Sequence, residues 1–248
     1  MARAVQWVCR VALAILAGGP GLASAQPASA PATPPVVVEL FTSQSCNSCP
    51  PADAFLADLA KRPGVLALSF HVDYWDYIGW RDPFAQRGFT ERQRGYSRTL
   101  PLRYVYTPQI VVDGRLQDVG SERKKIEALI ARAANEAVKH VALRVTGAAP
   151  NIKLEIDGND GASPAKPATV WLVAYDHVRT TKITRGENAG LSLDNYNVVR
   201  RMDRLGQFLG EAISIAFDPG PERTEQGRAV IVQNGEAGPI LGALRLDR

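Results

Sequence analysis

The stretch Val36–Pro51, VVVELFTSQSCNSCPP, decides the fold of this chain. It begins with a run that is apolar except for Glu39, which predicts a buried β-strand. The segment Cys46-Asn47-Ser48-Cys49 follows and opens a predicted helix. A Cys-x-x-Cys pair between a strand and a helix lets one thiol ionise while the second waits to displace it. The stretch therefore indicates dithiol redox chemistry.

Residues 1–25 have the three parts of a secretory signal peptide. A basic start precedes the apolar run Val11–Ala17, and the small residues Ala23-Ser24-Ala25 form a cleavage site. We expect cleavage after Ala25, a periplasmic or secreted protein and no membrane anchor, because the apolar run is too short to span a bilayer. Residues 26–35, QPASAPATPP, predict a flexible linker.

The cysteine count bears on the alternatives for the Cys-x-x-Cys pair, which are a zinc site and a structural disulfide. Cys9 lies in the predicted signal peptide, so the mature chain holds only Cys46 and Cys49. A structural zinc site needs four strong ligands, and the sequence has no second Cys-x-x-Cys and no close histidine pair. We therefore expect neither a metal nor another cofactor.

The net charge of the chain gives no indication of a nucleic-acid or membrane partner. The formal net charge is +4, and loss of Arg3 and Arg10 with the signal peptide lowers it to +2. This bias is too small to indicate binding to nucleic acid or to an anionic membrane.

Residues 36–139 have the pattern of an α/β domain, in the order βαβαββα. The predicted strands and helices are Val36–Phe41, Ala52–Ala60, Val65–Val72, part of Pro83–Thr99, Gln109–Val112, Arg115–Val119 and Ser121–Lys139. Asp113-Gly114 predicts a hairpin turn, and Ser121 is a candidate N-cap.

Residues 140–248 predict a β-rich domain. Five short β-type runs are separated by turns, and they favour a small antiparallel sandwich appended to the first domain. These runs are Val141–Val145, Ile152–Ile156, Thr169–Tyr175, Ala212–Phe217 and Ala229–Gln233. The basic cluster of Arg200, Arg201 and Arg204 is typical of a solvated charged face, with anion binding as the alternative.

The order of elements resembles the thioredoxin fold. Four strings are similar to a secreted thioredoxin-like family known as domain of unknown function 1223, and the similarity covers nearly all of the mature chain. They are VVVELFTSQSCNSCPPAD, HVDYWDYIGWRDPFA, YTPQIVVDG and RGENAG with NVVRR. A family without an assigned reaction implies the fold more directly than an activity.

The resemblance to thioredoxins implies roles for individual residues. Cys46 matches the attacking cysteine, nearer the helix start and the surface, with its thiolate stabilised by backbone N–H groups and the helix dipole. Cys49 matches the resolving cysteine. Pro108 matches the cis-proline that faces the disulfide, and Thr107 matches the residue whose backbone pairs with a bound substrate strand. An ordinary loop proline is the alternative for Pro108.

The chain also departs from thioredoxins. Asn47-Ser48 stands between the cysteines, and Pro50-Pro51 follows them, so we expect an irregular first helical turn. The position of the buried thioredoxin carboxylate is Leu40, whereas Glu39 points to the opposite face by strand alternation. Glu39 is either paired in the core or reaches the site at the strand end. These departures leave the direction of electron flow open.

Three residues at the end of the second strand or just after it are candidates for tuning the site or forming a substrate rim. Trp75 and Trp80 either dock an extended partner or cap the core, since aromatic side chains serve both purposes. His71 either tunes the thiolate or is a hydrogen-bonded core histidine.

The sequence thus predicts a thioredoxin-like thiol-disulfide oxidoreductase that acts on protein or small-molecule thiols and disulfides. One alternative is a non-enzymatic binding module with a permanent Cys46–Cys49 disulfide. Another is copper handling, in which two thiolates and His71 hold Cu(I), although the chain has few methionines.

Overall fold

A computed structural model describes residues 34–136, 140–158, 166–221 and 223–246, together with Met1 and Pro164. The predicted cleavage site after Ala25 and all but the last two residues of the predicted linker lie outside the described residues.

The N-terminal half follows the predicted order of elements. Its strands and helices are β1 (Val36–Thr42), α1 (Pro50–Ala60), β2 (Val65–His71), α2 (Arg87–Thr99), β3 (Gln109–Val112), β4 (Leu116–Val119) and α3 (Arg123–Asn135). A short 3-10 turn, Asp76–Ile78, lies between β2 and α2. Asp113 and Gly114 both have positive φ and form the predicted turn between β3 and β4. Ser121 is not an N-cap, because α3 begins later and Glu122 occupies that position.

The C-terminal half is β-rich, as predicted. Its strands are β5 (Leu143–Ala148), β6 (Asn151–Ile156), β7 (Ala168–Lys182), β8 (Ser192–Phe208), β9 (Ile213–Phe217), β10 (Gln226–Asn234) and β11 (Ile240–Arg245). Each of the five predicted runs overlaps one of these strands. The long strand β8 and the short strand β11 were not predicted, because charged residues such as Arg200 and Asp203 interrupt the apolar pattern of β8.

One mixed sheet joins the two halves. Its strand order is β11-β10-β7-β8-β2-β1-β3-β4, while β5, β6 and β9 form a separate antiparallel sheet. The α/β class is therefore confirmed, but four C-terminal strands extend the central sheet instead of forming an appended sandwich. The join is made by β8, which runs parallel to β2 with Val198 opposite Ser69. Asn197 supports it by donating to the carbonyl oxygen of Ala67 across 2.8 Å.

Both faces of the central sheet are covered, which explains the continuous apolar runs of β1 and β2. One face carries a hydrophobic cluster that runs from Phe41 on β1 to Ile231 on β10 and includes Phe89 and Tyr96 of α2. The opposite face packs against α1 and α3 in the N-terminal half. In the C-terminal half that face packs against the small sheet, for example Val170 and Val230 against Leu154. The sheet edge formed by the carboxyl ends of β1 and β2 is thereby held rigidly beneath the Cys-x-x-Cys segment.

Candidate redox site

The Cys-x-x-Cys segment forms the turn between β1 and α1. The backbone N–H of Cys46 donates to Ser43, and that of Cys49 donates to Cys46, across 3.1 and 3.2 Å. Cys49 is the N-cap of α1, and prolines occupy the next two positions, where a helical N–H has no partner to lose. The carbonyl oxygen of Cys49 accepts from the Ala52 N–H across 2.9 Å and from the Asp53 N–H across 3.1 Å, so the first turn of α1 shares one acceptor between a 3-10-type and an α-type hydrogen bond.

Cys46 and Cys49 form a disulfide. Cys46 is 3% exposed and Cys49 is fully buried. Asn47 and Ser48, which lie between the two cysteines, are exposed. Cys46 is thus the more accessible cysteine, as the resemblance implies, but Cys49 is the one at the helix start.

Two hydroxyl groups lie beside the Cys46 sulfur. Thr107 Oγ1 donates to Cys46 Sγ across 3.2 Å. Ser48 Oγ lies 3.3 Å from the same sulfur, and its hydroxyl group is the donor because a disulfide sulfur carries no hydrogen. Hydrogen bonds to a charged sulfur favour its thiolate form. The local support for a Cys46 thiolate therefore comes from side-chain hydroxyls, rather than from the backbone N–H groups that the resemblance implies.

The loop before β3 brings Thr107 and Pro108 to the disulfide. The Thr107–Pro108 peptide bond is cis, in agreement with the resemblance. The Trp75 indole N–H donates to Thr107 Oγ1 across 2.8 Å, which leaves the Thr107 hydroxyl proton to point at Cys46. Trp75, Thr107 and Cys46 thus form one hydrogen-bonded chain.

Residues from the C-terminal half also hold the Cys-x-x-Cys segment. Asn188 Nδ2 donates to the carbonyl oxygens of Gln44 and Cys46 across 2.9 and 3.1 Å. The Gln44 side-chain amide donates to Asn195 Oδ1 across 2.8 Å, and its oxygen accepts from the Trp80 indole. Sequence reasoning missed Asn188 and Asn195, because they follow Cys46 by more than 140 residues. Only the RGENAG string pointed to that loop.

The two tryptophans after β2 agree with the second of the two alternatives, that of capping the core. The tryptophans Trp75 and Trp80 are half-buried and donate inward. Tyr77, beside them in the 3-10 turn, is 80% exposed, and Tyr104, three residues before Thr107, is 71% exposed. The exposed aromatic surface near the site is therefore provided by tyrosines.

Glu39 is a paired core residue, one of the two alternatives. It is fully buried on the α2 face of the sheet, where Arg92 Nε donates to it across 2.8 Å and the Tyr96 hydroxyl donates to its other oxygen. Gln233 on β10 completes this network by accepting from Arg92. The residues of the Glu39 network thus come from α2 and β10. They lie away from the face of the sheet that packs against α1, the helix that Cys49 caps.

His71 lies at the carboxyl end of β2 and is fully buried. Its Nδ1 is 2.7 Å from Asp82 Oδ2, and both side chains are fully buried. Burial alone lowers the pKa of His71, but the attraction of Asp82 and Asp53 outweighs it, so the pKa is raised. Burial raises the pKa of Asp82, but the attraction of His71 lowers it more, so the pKa of Asp82 is lowered. The Asp82 oxygen also accepts from the Gln44 N–H across 2.8 Å, which ties this pair to the Cys-x-x-Cys segment.

Asp53 is a further acidic residue that sequence reasoning missed. It lies on α1 four residues after Cys49 and is 6% exposed. Burial raises its pKa to about 7, against the opposing effects of His71 and Thr42. The available signal was an aspartate one helical turn after the second cysteine, in a helix whose neighbouring residues are apolar.

The basic cluster on β8 is matched by carboxylates. Arg201 pairs with Asp203 across 2.6 Å, Arg200 approaches Asp176 at 3.8 Å, and Arg204 approaches Glu236 at 3.9 Å.

The described residues contain neither a membrane-spanning helix nor a metal-binding group of side chains. The helices in the described part of the chain are too short or too polar to span a membrane. Across the same residues, His, Cys, Asp and Glu side chains form no group of three suited to a metal ion, so His71 does not join the cysteines in such a group.

The chain is similar to known proteins both in structure and in sequence. The crystal structure of protein AGR_C_4864 from Agrobacterium tumefaciens is similar, with a TM-score of 0.70 and 29% sequence identity over 85% of this chain and 93% of that chain. No curated protein matches the chain. The model of the family described as protein of unknown function, DUF1223, matches residues 37–233, which run from β1 almost to the end of β10. Since this match spans most of the sequence, the chain belongs to the DUF1223 family, as its four strings predicted.

Proposed function

We propose that this protein is a periplasmic or secreted thiol-disulfide oxidoreductase in which Cys46 attacks and Cys49 resolves. The observation that carries this proposal is the Thr107 hydroxyl hydrogen bond to Cys46 Sγ, beside a Cys49 that is fully buried at the helix N-cap. A donor at Cys46 favours the thiolate that attacks, and burial of Cys49 limits its reaction to the neighbouring sulfur. The signal-peptide pattern of residues 1–25 supports the location.

The reducing direction proceeds in two exchanges. The Cys46 thiolate attacks a partner disulfide, forms a mixed disulfide and releases one partner sulfur as a thiolate. Cys49, once deprotonated, then attacks the Cys46 sulfur and releases the second partner thiolate. The Cys46–Cys49 disulfide forms, and two electrons pass to the partner. The oxidising direction is the reverse.

The surroundings of the disulfide favour an extended polypeptide partner, with small thiols and disulfides as further substrates. Asn47 and Ser48 are exposed next to Cys46, and Tyr77 and Tyr104, which lie close in the chain to the Cys46-linked residues Trp75 and Thr107, are exposed as well. Exposed tyrosines offer apolar contact area together with a polar hydroxyl group.

The test is disulfide exchange by the mature protein and by single cysteine variants. We expect the wild-type protein to exchange disulfides with a dithiol, and Cys46→Ser to be inactive. Cys49→Ser should accumulate mixed disulfides, and mass spectrometry should place them on Cys46, because that variant has lost its resolving thiol. Normal turnover by Cys46→Ser would rule out the redox proposal.

The burial of both sulfurs favours a second candidate function, a binding module in which the disulfide is permanent. The two candidates differ in reduction potential. A potential below about −300 mV, together with no exchange, would favour the structural disulfide.

A further inference from the structure

A cavity of about 760 Å³ lies between α2 and the central sheet. Phe89 and Gly95 of α2 line one side of it, and Trp171 on β7 and Met202 on β8 line the other. Trp171 and Met202 are only partly buried against the hydrophobic cluster of this face of the sheet. Pockets that bind small molecules enclose about 300–1,000 Å³. The cavity therefore has the size of a small-molecule site.

Helix α2 is attached to the C-terminal half at both of its ends. Next to its first residue, Gln86 Nε2 donates to the carbonyl oxygen of Arg200 across 3.0 Å. At its last residue, Thr99 Oγ1 donates to the carbonyl oxygen of Ala237 across 2.6 Å. Gly95 permits the close approach to Ala237, because a Cβ added at Gly95 would lie 2.8 Å from the Ala237 Cβ. The cavity is therefore built into the fold between two fixed attachments.

Arg200 lines this cavity as the extra residue of a β-bulge. Its neighbours Val199 and Arg201 pair with consecutive residues of β7, so Arg200 has no partner in the strand pairing. A bulge re-aims a side chain, and bulges are frequent next to functional sites. The Arg200 guanidinium group lies over the ring of Phe84, 5.1 Å from the ring centre, which fixes its position.

Two residues of the lining have a buried N–H donor with no hydrogen-bond partner among the described residues. The donor atoms are Nη1 of Arg200 and Nε1 of Trp171. Asp176, the carboxylate that Arg200 approaches at 3.8 Å, already accepts from Arg179 and Gln226. An unpaired buried donor is costly, so native proteins rarely retain one without a role. Both groups can only donate, so they favour a ligand that brings acceptor atoms.

The charges around the cavity leave an excess of positive charge. Most charged residues of the lining have a partner: Glu91 with Arg94, Glu236 with Arg204, Arg92 with Glu39 and Arg201 with Asp203. Arg98 and Lys166 also line the cavity, and within the described part of the chain they form no ion pair. With Arg200, they leave three cations available to a ligand. Charge complementarity therefore favours an anion.

The available cations stand at opposite ends of an apolar surface. Arg200 is beside the start of α2, whereas Arg98 is in its last turn. A helix of 13 residues is about 20 Å long, and Trp171 and Met202 lie along it. This arrangement suits a ligand that has both a charged group and an apolar body.

We propose that this cavity binds an organic anion with an apolar body and an acidic group, either a carboxylate or a phosphate. The acidic group accepts from Arg200, and the apolar body packs on Trp171 and Met202, whose lining also offers the Trp171 N–H to a second polar atom. Arg98 and Lys166 attract the anion from the other end. The cavity is on the face of the sheet opposite α1, so this proposal does not depend on the proposed redox function.

The test uses two fluorescent probes that differ by one charge. Anilinonaphthalene sulfonate has an apolar ring system and an anionic group, and N-phenylnaphthylamine is the same ring system without that group. We expect the wild-type protein to bind the sulfonate probe. Arg200→Gln should weaken this binding about tenfold, because it removes a charged hydrogen-bond donor, and should leave binding of the neutral probe unchanged. Unchanged binding of the neutral probe also shows that the variant is folded.

Arg123→Gln is the matched control. It removes the same charge from an exposed arginine of α3, on the opposite face of the sheet, and should change the binding of neither probe. Trp171→Leu should weaken the binding of both probes, because it removes the aromatic surface on which either ring system packs. Equal weakening of the sulfonate probe by Arg200→Gln and Arg123→Gln would show an effect of net charge alone and would overturn the proposal.

Displacement of the sulfonate probe from the wild-type protein needs no variant. Naphthoate or naphthyl phosphate should displace it, and the more effective of the two identifies the acidic group as a carboxylate or a phosphate. Naphthol, which is the same ring system without a charge at neutral pH, should not displace it. Equal displacement by naphthol, displacement by none of the three compounds, or no binding of the sulfonate probe by the wild type would each show that the proposal is wrong.

Discussion

Thr107 Oγ1 donates a hydrogen bond to Cys46 Sγ across 3.2 Å, although the two residues are 61 positions apart in the chain. Trp75 fixes the direction of this bond, because its indole N–H already donates to the same hydroxyl oxygen. A residue that the resemblance assigned to substrate binding through its backbone thus contacts the Cys46 sulfur through its side chain.

Removal of that hydroxyl should weaken the Cys46 thiolate. Thr107→Val keeps the shape of the side chain, and we expect exchange at neutral pH to slow by about tenfold, since a hydrogen bond to a charged group contributes about 1.5 kcal/mol or more. The Cys46 titration should move to higher pH. Thr107→Ser retains the hydroxyl and should restore both properties. The exposed Thr180→Val is a matched control, and an unchanged Cys46 titration in Thr107→Val would contradict the assignment.

The raised pKa of Asp53 predicts how stability depends on pH. At pH values between 3.8 and about 7, the folded protein holds a proton on Asp53 that the unfolded chain has lost, so stability falls as pH rises through this window. Asp53→Asn removes the effect. We expect it to be more stable than the wild type above about pH 7, by up to about 4 kcal/mol, and to lose this advantage near pH 4.

Denaturant unfolding of the oxidised protein across this pH range measures the difference. Asp58→Asn serves as the control, because Asp58 is exposed on the same helix. Parallel stability curves for the wild type and Asp53→Asn would show that Asp53 does not carry the raised pKa.

His71 should titrate above its ordinary value, because Asp82 is 2.7 Å from its ring. In Asp82→Asn the burial of the ring remains while the attraction is lost, so the His71 titration should move to lower pH. NMR of the three histidine rings measures this, with His140 and His177 as internal references.

The His71–Asp82 pair also predicts how the stability of the protein changes with pH. A histidine whose pKa is raised by folding stabilises the fold at pH values below its pKa in the unfolded chain. This stabilisation is lost as the pH rises through its pKa in the folded protein. The stability lost in Asp82→Asn should therefore be largest between about pH 4 and pH 6.5, where Asp82 and His71 are both charged, and should shrink at higher pH as His71 loses its proton and at lower pH as Asp82 gains one. A loss that does not vary with pH would mean that His71 is uncharged in the fold.

The Glu39–Arg92 pair should behave as a buried ion pair. Arg92→Met leaves the fully buried Glu39 without its cation and should cost about 3–5 kcal/mol of unfolding free energy. The double variant Glu39→Gln with Arg92→Met removes both charges and should be less destabilised than Arg92→Met alone. Chemical denaturation of the single and double variants measures the coupling. Equal losses in Arg92→Met and the double variant would show that the charges are not coupled.

The local sequence predicted most of the N-terminal half because its signals are local. The apolar runs of β1 and β2 and the Asp113-Gly114 turn each depend on neighbouring residues. The resemblance added the positions of Thr107 and Pro108. In contrast, Asn188 and Asn195 meet the site only because β8 pairs with β2, and strand pairing at this separation leaves no local pattern.

The position of β8 also limits how the chain can be divided. β8 alone covers the outer edge of β2, and the loop before it, through Asn188, holds the backbone of the Cys-x-x-Cys segment. A fragment that ends near residue 139 would resemble a minimal thioredoxin in its order of elements, yet β2 would become an open, apolar edge strand. Such edges recruit other chains. We therefore expect a protein shortened in this way to self-associate before any redox chemistry could be measured.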